Sequence, residues 1–123
     1  MESNCDCVYV SNDDPSPEFH NSRIVTAKKE HTCSECDRII YPIEKYEYVT
    51  GVWEGDFLVF KTCSDCLAIR NEFFCDSWVY GMVLEHFRES LLNTEGEVSE
   101  DCLASLPTKA REMVITMMEQ TWK

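Results

Sequence analysis

Cys33-Ser34-Glu35-Cys36 and Cys63-Ser64-Asp65-Cys66 form two CxxC pairs with 26 residues between them. Each CxxC turn directs both its sulfurs at one point, and Zn²⁺ accepts four thiolates tetrahedrally, so Cys33, Cys36, Cys63 and Cys66 are the expected ligands of a single zinc ion. With every position taken by protein sulfur, no place remains for water or substrate. The expected role of the metal is therefore to hold the fold, not to catalyse. The bland alternative is four free thiols on a small domain. Cys5-Asp6-Cys7 offers two further thiolates for a second metal with Cys75 and one of Cys102 or His20, but these partners have no diagnostic spacing. Otherwise Cys75 and Cys102 read as small buried apolar residues, and the Cys5 and Cys7 thiols as free and oxidisable.

A chain of 123 residues buries only a modest core, which makes a metal staple useful. Its eight cysteines fit a secreted disulfide framework only behind a signal segment, and Met1-Glu2-Ser3-Asn4-Cys5-Asp6 is acidic and polar where a signal is basic and then apolar. A cytoplasmic protein with reduced thiols and bound metal is the expectation. No run of about 18 apolar residues occurs, so no membrane span is expected. The formal charge of −12 becomes about −14 once four thiolates and one Zn²⁺ are counted. Acids outnumber bases ten to four over residues 71–123. Such an excess serves solubility, or a surface that meets a basic partner.

The elements that must present the sulfurs are legible between turn signals. Residues 1–26 carry Asp13-Asp14-Pro15-Ser16-Pro17, which refuses a helix and reads as a peripheral N-terminal arm, with Ile24-Val25-Thr26-Ala27 a short β-prone stretch at its end. Residues 27–74 form the expected zinc-finger core. Ile39-Ile40-Tyr41-Pro42-Ile43 gives a brief strand ended by proline. Tyr46 to Trp53, the turn Glu54-Gly55-Asp56, and Phe57 to Thr62 make a hairpin whose returning strand delivers Cys63, with a bulge expected at Gly51. A helix begins inside the second CxxC, capped by Thr62 or Ser64, with Asp65 favoured in its first turn by the helix dipole. Residues 75–123 form a helical extension packing on the core. One helix runs from Trp78 to Leu92 with Tyr80, Leu84, Phe87 and Leu91 on one face. A second follows Pro107 with Ala110, Met113, Val114, Met117 and Met118 as its stripe.

A knuckle, then a hairpin, then a second CxxC in the first turn of a helix resembles the treble-clef class of zinc fingers over residues 31–74. The resemblance implies an α+β fold in which Cys33 and Cys36 are knuckle ligands, and Cys63 and Cys66 the hairpin-end and helix-start ligands. Lys28-Lys29-Glu30-His31-Thr32-Cys33, Tyr46-Glu47, Gly51-x-Trp53-Glu54-Gly55 and Lys61-Thr62-Cys63, with Cys5-x-Cys7 and Trp78-Val79-Tyr80-Gly81, are similar to small uncharacterised zinc proteins encoded by phages and prophages. That likeness implies an accessory or host-takeover role. Treble clefs also form the core of His-Asn-His type nucleases, but such a site needs a histidine base on the hairpin, and none lies between Tyr46 and Thr62. His20, His31 and His86 read as structural or surface residues, and no enzymatic activity is expected.

The leading expectation is a non-catalytic protein-interaction module. Its acidic surface suits a basic, nucleic-acid-binding host protein, as an anti-defence or anti-CRISPR inhibitor that imitates nucleic-acid charge. Trp53, Trp78, Trp122 and the methionine stripe are its candidate contact residues, or would pair two copies as a homodimer. The alternative is a nucleic-acid-binding zinc finger using Arg23, Lys28, Lys29, Arg38, Lys45 and Lys61, with Tyr46, Tyr48, Trp53 or Phe57 stacking on bases. Against it, seven acids lie between residues 31 and 70, among them Glu44, Glu47, Glu54 and Asp56, and interspersed carboxylates blunt phosphate binding.

Overall fold

A computed structural model describes residues 8, 19–75, 77–93, 98 and 100–121. Its strands are β1 (Phe19–Thr26), β2 (His31–Thr32), β3 (Ile39–Ile40), β4 (Lys45–Trp53) and β5 (Asp56–Cys63). The helices are α1 (Ser64–Phe73), α2 (Val83–Asn93), α3 (Glu100–Ala104) and α4 (Thr108–Thr121). The chain is thus a small α+β domain, a treble-clef-like zinc module with a helical C-terminal extension.

β4 and β5 form the expected hairpin, closed by Glu54 and Gly55 with φ of 50° and 85°. Two positive φ values in a two-residue loop match the right-handed twist of the flanking strands. Residues 19–26 differ from the peripheral arm expected of them. They pair antiparallel with β4 along their whole length and complete a three-stranded sheet of order β1-β4-β5. The β-prone residues near Thr26 extend a pairing that the exposed edge of β4 makes available. Val8 is also docked, with its N–H donating to the Phe73 carbonyl at 2.8 Å and its side chain in the core.

Gly51 causes no bulge, because β4 stays in register with both neighbours through it. It is a site of close approach instead: a Cβ there would lie 2.7 Å from the Phe19 carbonyl oxygen and 2.7 Å from the Trp53 ring. The helix expected from Trp78 starts only at Val83, since Gly81 takes φ 86° and breaks the chain direction before it. The acidic segment after α2 contains α3, and Pro107 precedes α4 as its composition requires.

Three apolar clusters position the site. Tyr46, Ala27 and Ile40 surround the four cysteines. Beneath the sheet, Trp53 meets Phe60 and Tyr80 edge-on at 5.2 and 6.0 Å. The third cluster joins Ile69 and Phe73 of α1 to Val83, Phe87 and Leu91 of α2, and to Ala110, Val114 and Met117 of α4. Met113 and Met118 pack against it, so the methionine stripe is largely core, as are Trp53 and the partly buried Trp78. Trp122 lies outside the described residues.

One buried ion pair fastens the sheet to α1. Arg70 Nη1 and Nη2 donate to Glu47 Oε1 and Oε2, both at 2.7 Å, and the guanidinium lies 4.2 Å from the centre of the Trp78 ring. Both residues are buried. Removing one partner leaves an uncompensated charge in the interior, so Glu47→Ala is expected to cost about 3–5 kcal/mol of stability. The double variant Glu47→Leu/Arg70→Met should recover much of that loss. Denaturant titration of the three proteins checks the expectation, and an unchanged midpoint for Glu47→Ala would refute it.

Candidate metal centre

The four sulfurs come from two short structures locked to one another. The first is the turn between β2 and β3, where Cys33 N–H donates to the Arg38 carbonyl and Asp37 N–H to the Cys33 carbonyl. Asp37 takes φ 64°, which lets the turn close over its own sulfurs. The second is the junction of β5 with α1. Ser34 N–H donates to the Lys61 carbonyl at 2.7 Å, and Lys61 N–H to Ser34 Oγ at 2.9 Å, clamping the knuckle onto β5 beside Cys63.

In this arrangement the ligand atoms of Cys33, Cys36, Cys63 and Cys66 all lie within 4.8 Å of one another. Cys33 Sγ and Cys66 Sγ are 4.0 Å apart, and Cys36 Sγ and Cys63 Sγ 3.8 Å apart. A tetrahedron with Zn–S bonds of about 2.3 Å has edges of about 3.8 Å, so the cluster is suited to one divalent ion such as Zn²⁺. All four expected ligands are brought together, and they exhaust the tetrahedral positions.

Backbone donors face the sulfurs. Glu35 N–H and Cys63 N–H both donate to Cys33 Sγ at 3.4 Å, and Cys66 N–H donates to Cys63 Sγ at 3.5 Å. The last of these makes Cys63 itself the N-cap of α1, in place of Thr62 or Ser64. A thiolate at a helix N-terminus is favoured by the helix dipole, which is why the ligand and the cap can be one atom. Arg38 adds a cation beside the cluster, bonded to Glu44 at 3.1 Å and paired with Asp65 at 3.4 Å. The bond to Glu44, and then the negative charge of Cys63, hold that guanidinium firmly protonated.

Four such close thiols cannot all ionise without a cation. Contacts with Cys36, Cys63 and Cys66 hold the Cys33 thiol far below its ordinary pKa, whereas Cys33 and Cys63 push Cys36 far up. Cys66 is likewise raised by its three neighbours, led by Cys33. Cys63 lies at about 7, where the opposing contact with Cys33 is outweighed by those with Cys36 and Cys66. Bound zinc supplies two positive charges that let all four thiols ionise, and its binding displaces their protons.

Glu35, inside the first CxxC, has a role that its sequence position did not disclose. Its carboxylate accepts from Gly81 N–H at 2.7 Å and Val83 N–H at 3.0 Å, which caps α2 from the knuckle. Burial pushes this carboxyl up, opposed by the two N–H donors. An acidic residue between two ligands gives no hint of a partner 46 residues away.

The remaining chemistry-bearing residues lie apart from the cluster. His20 is on β1 with its ring 6.0 Å from Tyr80, and His86 is in α2. His31 accepts from Lys61 Nζ at Nδ1, 3.2 Å, which leaves Nε2 of the neutral ring facing Tyr46 Oη at 3.4 Å. Loss of water contact, then Lys61 and Lys29, lower the His31 pKa. Cys75 and Cys102 are disulfide-bonded, which removes both as thiolates for a second metal site; Cys102 is buried as expected, whereas Cys75 is exposed. Cys5 and Cys7 lie outside the described residues. No protein-family model, curated protein or solved structure matches the chain.

Cys36→Ser is expected to lose the metal and, with it, the cooperative thermal transition, since structural zinc carries roughly 10 kcal/mol or more in small fingers. A metal-free Cys36→Ser protein with the wild-type melting curve would refute a structural role. Because Cys36 and Cys66 retain protons in the metal-free state, zinc uptake should release protons and its affinity should fall as pH falls, more steeply below about 7 where Cys63 is also protonated. Competitive chelator titration across pH measures both.

Proposed function

We propose that this protein is a non-catalytic, zinc-stabilised protein-interaction module. The observation that carries the reading is the turn between β3 and β4. Tyr41 and Ile43 stand exposed there, Ile43 to 83 %, beside the exposed Ile39 of β3, and Ile43 takes φ 81°. A β-branched residue in the left-handed region costs about 1–2 kcal/mol, and such a cost persists only where the surroundings impose it.

Here they do. Ile43 N–H donates to the Ala27 carbonyl at 2.8 Å, and Glu44 Oε2 accepts from Tyr41 N–H at 2.6 Å. Arg38 grips the same carboxylate, and with Tyr41 N–H holds it below the usual carboxylate range. A rigid turn anchored next to the metal knuckle thus presents two large apolar side chains to solvent without having to order them on binding. Pre-organised apolar anchors of this kind dominate the energetics of protein interfaces.

The finer reading extends the proposal to a phage accessory protein in the host cytosol that inhibits a basic, nucleic-acid-binding partner. Its support is the resemblance described above and the net charge of −12, which speeds encounter with a basic target. The disulfide-bonded Cys75 and Cys102 set this location a condition, because a reducing cytosol opens accessible disulfides. Cys102 is 2 % exposed and shielded, whereas Cys75 is exposed. No helix among the described residues is long and apolar enough to cross a membrane.

Ile43→Asn separates function from folding. Asparagine tolerates the left-handed region, so the variant should gain about 1 kcal/mol of stability. Capture of a basic protein from lysate, resistant to nuclease and tested at two salt concentrations, should nevertheless be lost. Unimpaired capture by Ile43→Asn, or capture abolished by nuclease, contradicts the reading.

A further inference from the structure

The two faces of the three-stranded sheet differ sharply in charge. Side chains alternate along a strand, so Glu47, which pairs with Arg70, shares its face with Val49 and Trp53 and looks into the molecule. The opposite face contains the cross-strand row Arg23, Tyr48 and Lys61. None of the positions alternating with this row on β1, β4 and β5 is a carboxylate. In a chain with 23 acidic residues against 11 basic ones, a sheet face free of carboxylates is a concentrated exception.

The face is also shaped. A hollow of roughly 630 Å³ is lined by Arg23, Lys28, Lys29, His31, Tyr46 and Tyr48 among others. A second of roughly 240 Å³ shares Arg23 and Tyr48 and continues towards Asn21 and Thr50. Together they make a track running along the strands from the zinc knuckle. At its far end the row Phe19, Val52 and Phe57 leaves two aromatic rings about two-thirds exposed, at 65 % and 66 %. Arg23 lies over the Tyr48 ring at 5.7 Å, so a cation and an aromatic surface are presented together.

We propose that this face binds single-stranded nucleic acid, with Arg23, Lys28, Lys29 and Lys61 meeting phosphates and Tyr48, Phe19 and Phe57 offering surfaces on which bases stack. Carboxylates on a protein partner would satisfy the cations but would make no use of the half-buried Tyr48 ring between Arg23 and Lys61, or of the exposed Phe19 and Phe57 rings at the far end. Alternating phosphates and planar bases use both, as in other sheet platforms for single strands. A duplex hides its base faces and gains little from an open sheet. Of the acids that weigh against nucleic acid in the sequence, Glu47 is on the other face and Glu44 is held by Arg38, while Glu54 and Asp56 are confined to the hairpin end beyond the row of Arg23, Tyr48 and Lys61. The site shares no residue with the Tyr41 to Ile43 turn, so the two surfaces stand or fall separately.

The test is fluorescence anisotropy of the zinc-loaded full chain with short labelled single-stranded DNA and RNA, with duplex DNA and polyglutamate as comparison ligands. Four phosphate contacts predict that log K falls with log salt at a slope of about −3, from about 0.7 per contact. Arg23→Ala and Lys61→Ala should each weaken binding and reduce the slope by about 0.7. Tyr48→Leu should weaken it about tenfold with the slope unchanged. Lys109→Ala, in α4, should bind as wild type. Zinc content and circular dichroism confirm that each variant is folded, and Arg23 is exposed enough for its substitution to leave the fold intact. Absence of binding, equal binding of duplex or polyglutamate, or indifference to Arg23→Ala and Lys61→Ala would overturn the proposal.

Discussion

The whole fold depends on the requirement that four sulfurs from two distant turns stay within 4.8 Å of one another. Four thiolates at that separation repel unless a cation lies between them, so a bound metal is what lets the knuckle and the β5–α1 junction hold all four sulfurs ionised and together. Each neighbouring element then inherits its position from that unit. α1 begins where it does because Cys63 Sγ caps it, and β5 is held in place by the reciprocal bonds between Ser34 and Lys61. Even α2 is tied in, because the N–H of its first residue, Val83, and that of Gly81 just before it both end on Glu35 between the two knuckle ligands.

Away from the metal, the charges sort themselves by what surrounds them. Arg70 and Glu47 are buried together and link sheet to helix under a Trp78 ring. Arg38 divides its donors between Glu44 and Asp65, which steadies the knuckle and the start of α1 together. These commitments leave Arg23, Lys28 and Lys29 as exposed cations on the side of the sheet turned from the helices. An overall excess of acid therefore coexists with one surface of the opposite character. Net charge describes encounter at long range, but local arrangement decides what is recognised at contact.

Much of this was legible in the residues. The CxxC spacing specified the ligands, Glu54-Gly55 the hairpin turn, and the period of Ala110, Val114 and Met117 the buried face of α4, because each is a local pattern with one physical solution. What was not legible depended on distant partners. Strand β1 was obscured because its pairing with β4 is non-local and its own sequence is weakly alternating. Gly81 lay inside a convincing helical stripe, and only its φ of 86° shows that the helix must wait for Val83. Gly51 read as a bulge because sequence gives no sign of the Trp53 ring that occupies the place of a side chain. The role of Glu35 and the segregation of charge between the sheet faces are likewise tertiary facts.

The central claim is that one metal ion, held by four cysteine sulfurs, supports both the finger and the start of the helical extension. Amide hydrogen exchange of the zinc-loaded and metal-stripped protein, resolved by segment, tests it most directly. The account predicts that stripping the metal removes protection together from the knuckle, the end of β5, α1 and the first turn of α2. Retained protection in β5 and α1 after verified metal removal would contradict it, and would place the stability of this fold in its apolar core alone.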